Sequence, residues 1–240
     1  MYFDQAEFAV RCEWGRHGIE QVALQTNLVI IVDVLSFSTC VEIATQRGAI
    51  VFPYPWRDGT APAFANSVQA ELAGKRGQGS RYSLSPTALM DLDAGLRLVL
   101  PSPNGSSLSR ATGKTPTLAG CLRNAEAVAA VAAQYGSPIT VVPAGERWPD
   151  GSLRPALEDW LGTGAIIRHL PGRWSPEAEA AVAAYEAMAD QLGDRLKACS
   201  SGRELIEQGF EQDVVLAAAV NVSDCVPTLV NQAYVNRSVQ

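Results

Sequence analysis

Histidine is almost missing from the 240-residue sequence: His17 and His169 are the only two. A pair so far apart argues against a histidine-rich metal centre and against phosphohistidine chemistry. The five cysteines, Cys12, Cys40, Cys121, Cys199 and Cys225, form no CxxC pair. An odd, scattered set of this kind argues against a disulfide framework or a structural zinc site and predicts reduced thiols in the cytosol. No cysteine is followed by five residues and an arginine, which excludes the usual thiol phosphatase loop. Walker A and GxGxxG sequences are also lacking. No apolar run nears the roughly 18 residues that a membrane span requires. The opening stretch, MYFDQAEFAVRCEWG, is polar and acidic rather than leader-like. A cytoplasmic protein with no membrane partner is expected. Positive charge is short as well: 19 Lys and Arg stand against 25 Asp and Glu, a formal net charge of −6. Nucleic acid is therefore not an expected partner. A small anion remains compatible, provided that a metal, an arginine or backbone amides make its site locally positive.

What is present is a globular composition, with 47% hydrophobic and 18% charged residues. The length suffices for one large domain or two small ones, each with a sizeable core. The chain is read as one α/β domain spanning 1–240, with substructure at 1–110 and 111–240. The β-branched run NLVIIVDVL (27–35) has the signature of a strand buried on both faces. It breaks at SFST and continues into a helix closed by Gly48. AIVFPYP (49–55), RLVLPSPNG (97–105), PTLAGCLRN (116–124) and PITVVPAGE (138–146) read as further strands, three of them running into polar turns. AEAVAAVAAQYG reads as a helix ended by Gly136, and 155–170 as a helix with Pro155 in its first turn. Beyond residue 175 the pattern is helical, and 57–82 is the least patterned part, a loop or a flap. Alternating strands and helices predict a mostly parallel or mixed sheet with helices on both faces, a three-layer α/β/α arrangement. Ligands bind beyond the carboxyl ends of such strands. The polar turns at 33–39, 101–107, 119–124 and 143–159 are expected to gather there.

Candidate chemistry sits in those turns. Asp33 interrupts an apolar strand, where a carboxylate is costly unless paired, metal-bound or at the sheet edge. Ser36, Ser38 and Thr39 stand at the helix start, where hydroxyls either cap the helix or join its amides around an anion. In SPNGSS, Asn104-Gly105 permits a positive-φ turn that points amides outward, and Ser106 adds a hydroxyl. Arg123 and Asn124 occupy another strand-to-helix junction, and an arginine there suits bidentate capture of phosphate or sulfonate. Glu158 and Asp159 suit a helix start by its dipole alone. Together with Asp33 and Glu146, however, they would make an oxygen-rich site for Mg²⁺.

Taken in order, VDVLSFST, LPSPNGSS, AGCLRNA, AGERWPDGSLRPALEDWLGTGAI and SGRELIEQGFEQDVVLAAAVNVSDCVPTL resemble the 2-phosphosulfolactate phosphatase (ComB) family over residues 29–229. The resemblance implies a magnesium-dependent α/β enzyme that hydrolyses 2-phosphosulfolactate to 3-sulfolactate and phosphate, a step toward coenzyme M in methanogens. Asp33, Arg123 and Glu158 are then the expected catalytic residues, with Asp33, Glu146, Glu158 and Asp159 around the metal. Ser36, Ser38, Thr39, Asn104, Gly105, Ser106, Asn124 and Arg154 are the expected contacts to a small phosphorylated acid. Attack by Asp33 and attack by metal-bound water are both left open, as is assembly into a homo-oligomer. One departure stands out. The family pattern reads DVLRA before its hydroxyl residues, whereas this chain has Ser36 in place of the arginine and Phe37 in place of the alanine. Loss of a charge-assisted contact to an anion costs roughly 1.5–3 kcal/mol. An anion-binding relative without turnover is accordingly the alternative reading.

Overall fold

The computed structural model describes residues 3–55 and 58–237. Strand β1 (Val10–Cys12) leads into helix α1 (Gly15–Val22), and β2 (Leu28–Val32) into α2 (Phe37–Gln46). There follow β3 (Ile50–Tyr54), α3 (Ala61–Ser67), the two-residue β4 (Glu71–Leu72) and β5 (Arg97–Pro101). The middle of the chain forms α4 (Gly105–Ala111), β6 (Thr117–Gly120), α5 (Ala125–Ala133) and β7 (Ile139–Pro143). A small hairpin, β8 (Glu146–Arg147) with β9 (Leu153–Arg154), precedes α6 (Leu157–Ile167). Helices α7 (Pro176–Met188), α8 (Leu192–Ala198), α9 (Ser200–Glu207) and α10 (Glu211–Ala217) then lead to the closing hairpin of β10 (Pro227–Val230) and β11 (Ala233–Asn236).

Nine of these strands make one mixed sheet in the order β1-β7-β2-β6-β10-β11-β3-β5-β4. The strands β1, β7, β2 and β6 are parallel to one another, as are β3, β5 and β4. Between the two parallel groups lies the β10–β11 hairpin, antiparallel to β6 on one side and to β3 on the other. Three antiparallel steps separate the groups, so neighbour by neighbour they run in opposite senses. The ends of β2 and β5 still come together. Five steps of a twisted sheet, each roughly 20–25°, accumulate a rotation of more than a right angle between them.

Burial follows from the residue pattern. In β2, Leu28, Ile30 and Val32 face one core with Val128 of α5, Leu161 of α6 and Val182 of α7. Val29 and Ile31 face the opposite core with Ile19 of α1 and Leu108 of α4. Helices thus cover both faces, as the continuous apolar run predicts. Glycines at φ +85° and +72° follow the ends of α2 and α5 at Gly48 and Gly136, the left-handed conformation in which a side chain would be strained. Among the described residues no helix is long and apolar enough to cross a membrane.

Three sequence expectations are corrected. Pro155 is outside α6, whose cap is Ala156, because Arg154 is still paired with Glu146 across the β8–β9 hairpin. The unpatterned segment 57–82 holds α3 and β4, although Arg57 itself is outside the described residues. The C-terminal stretch after α10 is not helical but turns back as β10–β11, with Asn231 and Gln232 at φ 50° and 69°.

Helices α6 and α7 touch closely at Gly164. A Cβ there would run into the Ala181 carbonyl oxygen and come within 2.8 Å of the Tyr185 Cβ. Gly164→Ala is therefore expected to destabilise the protein by about 1–3 kcal/mol, through overpacking. For a chain of this size that is a melting-point loss of roughly 2–12 °C, readable by calorimetry. A Tm unchanged within a degree would show that the helices separate without cost.

Candidate functional site

Strand β2 stops one residue before Asp33 because the Asp33 side chain takes over the backbone pairing. Its Oδ1 accepts the Phe37 N–H at 3.0 Å, and its carbonyl oxygen accepts the Ser38 N–H at 2.8 Å. Ser38 Oγ in turn accepts the Asp33 N–H and donates to the Ile31 carbonyl. Thr39 Oγ1 donates to the Val34 carbonyl at 2.8 Å. Both hydroxyls are fully buried and committed to the main chain. They tie the start of α2 back to the end of β2, and of the three early hydroxyls only Ser36 borders the open cavity described below.

The SPNGSS stretch closes on the same carboxylate. The Gly105 N–H donates to Asp33 Oδ2 at 2.8 Å. Gly105 opens α4 without entering the left-handed region, so the outward positive-φ turn expected of Asn104-Gly105 is not formed. Glycine is required for a different reason: a Cβ would run into the Phe37 ring and lie 2.8 Å from Asp33 Oδ2. Ser106 is buried and donates to the Leu100 carbonyl at 2.9 Å. Asn104 Nδ2 donates to Glu146 Oε2 at 2.9 Å, linking the end of β5 to the start of β8.

These elements border a cavity of about 470 Å³ whose walls include Asp33, Ser36, Ser102, Asn104, Glu146 and Ser201. Asp159 joins it from behind. Its two oxygens accept the Val34 N–H at 2.7 Å and the Gly145 N–H at 2.8 Å, tying the ends of β2 and β7 to α6. Glu158, also buried, lies against Cys199 Sγ at 3.4 Å. Burial, with neighbouring carboxylates, raises the pKa of Asp33, Glu146 and Asp159. Burial first, then Glu158, lifts Asp33 to about 6 against the pull of the Phe37 and Gly105 amides. Burial and the Asp33 charge lift Glu146 to about 7, opposed by the Asn104 hydrogen bond and by Arg154. Burial, Asp33 and Glu158 hold Asp159 well above the ordinary carboxylate range.

A cation would relieve that repulsion. Among the described residues no group of three or more His, Cys, Asp or Glu side chains is arranged to enclose a metal ion. Mg²⁺ commonly takes only one or two carboxylates, with waters and substrate oxygens as the remaining ligands. Asp33 and Glu146, both on the cavity wall, are a donor set of that kind. Glu158 and Asp159 are not among the described residues that line the cavity, which sets them apart from Asp33 and Glu146.

The other expected residues are distributed less compactly. Arg154 reaches Ser201 Oγ at 3.3 Å and sits opposite Glu146 in the hairpin, at the cavity's margin. Arg123 and Asn124 are not brought to this cavity. Arg123 is buried in an ion pair with Glu42 of α2, at 2.6 Å, and donates to the Leu216 carbonyl. Asn124 accepts the Cys121 N–H and donates to the Cys225 carbonyl, each at 2.9 Å, so that it fastens the turn after β6. In their place the cavity holds Lys75 and Arg76, which sequence reasoning passed over. The available signal was the GKRG tetrapeptide, two adjacent cations between glycines in an acidic chain. Ser102, the first serine of SPNGSS, was also overlooked as a wall residue.

A family model described as 2-phosphosulpholactate phosphatase matches residues 16–232. The 2-phosphosulfolactate phosphatase of Methanothermobacter thermautotrophicus is 30% identical over 205 residues, covering 84% of this chain and 86% of that protein. A probable 2-phosphosulfolactate phosphatase of Thermosynechococcus vestitus is 31% identical over 222 residues, 85% of this chain and 89% of its own length. One of the same description from Carboxydothermus hydrogenoformans is 30% identical, over 85% of this chain and 86% of its own. With the match running through β2, the SPNGSS turn and the β8–β9 hairpin, the chain belongs to the 2-phosphosulfolactate phosphatase family.

Proposed function

We propose that this protein is a Mg²⁺-dependent phosphatase that hydrolyses 2-phosphosulfolactate to 3-sulfolactate and phosphate. The observation that carries the reading is the convergence of Asp33, Ser36, Ser102, Asn104 and Glu146 on one cavity, from three separate strand ends. Family membership supplies the reaction class, phosphoric monoester hydrolysis, and the relatives' names supply the substrate. Asp33 and Glu146 are the residues that would hold the metal. When bound, Mg²⁺ supplies Lewis-acid polarisation of a phosphoryl oxygen.

The chain's own residues do the remaining work. The Phe37 and Gly105 amides fix the Asp33 carboxylate, so its direction into the site is set before substrate arrives. Asn104 orients Glu146 in the same way. Ser36 and Ser102 present hydroxyls at the cavity wall, suited to substrate oxygens. Asp159 holds the β2 and β7 loops in register, a positioning role rather than a contact.

The test is phosphate release from 2-phosphosulfolactate, with phosphorylated C3 and C4 acids for comparison, each assayed with Mg²⁺ and with EDTA. Turnover that is fastest on 2-phosphosulfolactate and lost on chelation is the expected result. Equal turnover in EDTA would remove the metal from the proposal. No release from any phosphorylated acid would overturn the enzymatic reading.

A further inference from the structure

The cavity wall carries three carboxylates, Asp33, Glu146 and Glu204, and two cations, Lys75 and Arg76. For a substrate with several negative charges that balance is unfavourable without positively charged contacts, and these two side chains are the only ones on the wall among the described residues. Both belong to a short excursion of the chain. Gly74 donates to the Tyr82 carbonyl at 2.7 Å and forms an isolated bridge with Ser83, so residues 75–81 leave and return at one point.

Arg76 is aimed with care. Its Nη2 donates to Ser36 Oγ at 2.9 Å and also to the Leu84 carbonyl. Its guanidinium carbon lies 5.2 Å from the centre of the Phe210 ring, and its Nε is 3.5 Å from Asp213 Oδ2. Asp213 is held in place: the Ser85 hydroxyl lies within hydrogen-bond distance of both of its oxygens, and the Thr87 N–H and hydroxyl donate to Oδ1. The Asp213 carboxylate, buried and held by Ser85 and Thr87, pairs with the guanidinium and sets the direction of the arginine stem. Arg76 Nε is buried and makes no hydrogen bond. The outer end of the guanidinium meets Ser36, the position at which the first motif departs from the family pattern.

We propose that Arg76 is the substrate-binding cation of this site. From a segment 40 residues downstream, it places a guanidinium on Ser36 to grip an oxyanion of the phosphorylated acid. Ser36 is then not a loss of charge but a seat for a charge delivered from elsewhere. This inference rests on the phosphatase reading for the identity of the oxyanion, which is either the phosphoryl group or the acidic tail of the substrate.

The test is Arg76→Gln, with retention of the fold checked by circular dichroism and melting. Loss of a charge-assisted contact predicts a KM for 2-phosphosulfolactate raised roughly ten- to a hundredfold, with kcat changed much less. Inhibition by inorganic phosphate and by 3-sulfolactate tells which oxyanion is held, since only the inhibitor gripped by Arg76 weakens in the variant. In Arg76→Gln combined with Ser36→Arg, recovery of a large part of the lost affinity is expected, because the charge returns to the same place from the other side. An unchanged KM, or a fall in kcat alone with both inhibitors unaffected, would overturn the proposal and leave Arg76 a structural residue. Should the wild-type protein fail to hydrolyse 2-phosphosulfolactate, the parent reading fails. Calorimetric binding of inorganic phosphate then still decides this one: tenfold weaker binding in Arg76→Gln sustains it, and equal or absent binding in both proteins sinks it.

Discussion

Asp33→Asn will reduce phosphate release by roughly a thousandfold or more, the size expected when several kcal/mol of charge stabilisation leave a transition state. Asparagine keeps the volume of the side chain but not its chemistry. Asp33 accepts one amide on each oxygen, from Phe37 and from Gly105. Whichever way a carboxamide turns, its NH₂ group faces one of those N–H donors, and that hydrogen bond becomes a repulsion. The amide also removes the negative charge proposed to hold the metal. Folding is expected to survive, because deleting a buried charge offsets part of the lost bonding. The decisive measurement is kcat on 2-phosphosulfolactate at saturating Mg²⁺, with a melting curve on the same sample. A folded variant with kcat within tenfold of the wild type would take Asp33 out of the reaction.

The same contacts explain which parts of the molecule were legible in the sequence. The uninterrupted apolar run of β2 announces a strand buried on both faces, and the two cores against Leu28, Ile30, Val32 and against Val29, Ile31 are what that pattern demands. Asp33 was conspicuous because a carboxylate at the end of such a run must be accounted for. The hydroxyls were harder. Ser38, Thr39 and Ser106, at the starts of their helices, reach back to carbonyls of the preceding strand or loop and bond to those instead of lining the cavity. Residue type alone does not distinguish the two uses. The closing hairpin escaped because β10 and β11 are four residues each and draw their stability from β6 and β3, which are distant in sequence. The arginines show the limit most clearly. Arg123 follows a strand and looked like the anion-binding residue, while Arg76 lay in the segment with least pattern. Their roles depend on Glu42, 81 residues from one, and on Ser36, 40 residues from the other.

Arg123→Gln is accordingly expected to damage stability rather than chemistry. Glu42 is wholly buried, and its Oε2 receives Arg123 Nε at 2.6 Å while Oε1 has no hydrogen-bond partner. Removing the guanidinium strands a carboxylate in the core between α2 and the turn after β6. Breaking a buried pair from one side costs about 3–5 kcal/mol. In a chain of this length that is a fall in Tm of roughly 6–20 °C. Replacing both partners by apolar residues, as in Glu42→Leu with Arg123→Met, should recover most of the loss, since no uncompensated charge is left behind. That double variant also separates the two roles that Arg123 has been given. If the arginine acts on substrate, a refolded double variant will still have lost kcat by orders of magnitude. If it acts only by neutralising Glu42 and holding the Leu216 carbonyl, kcat measured well below the melting point will remain within about tenfold of the wild type, a difference of 1.4 kcal/mol. The geometry favours the second outcome, because Arg123 is buried and directs its side chain to Glu42 and to the Leu216 carbonyl rather than to the cavity.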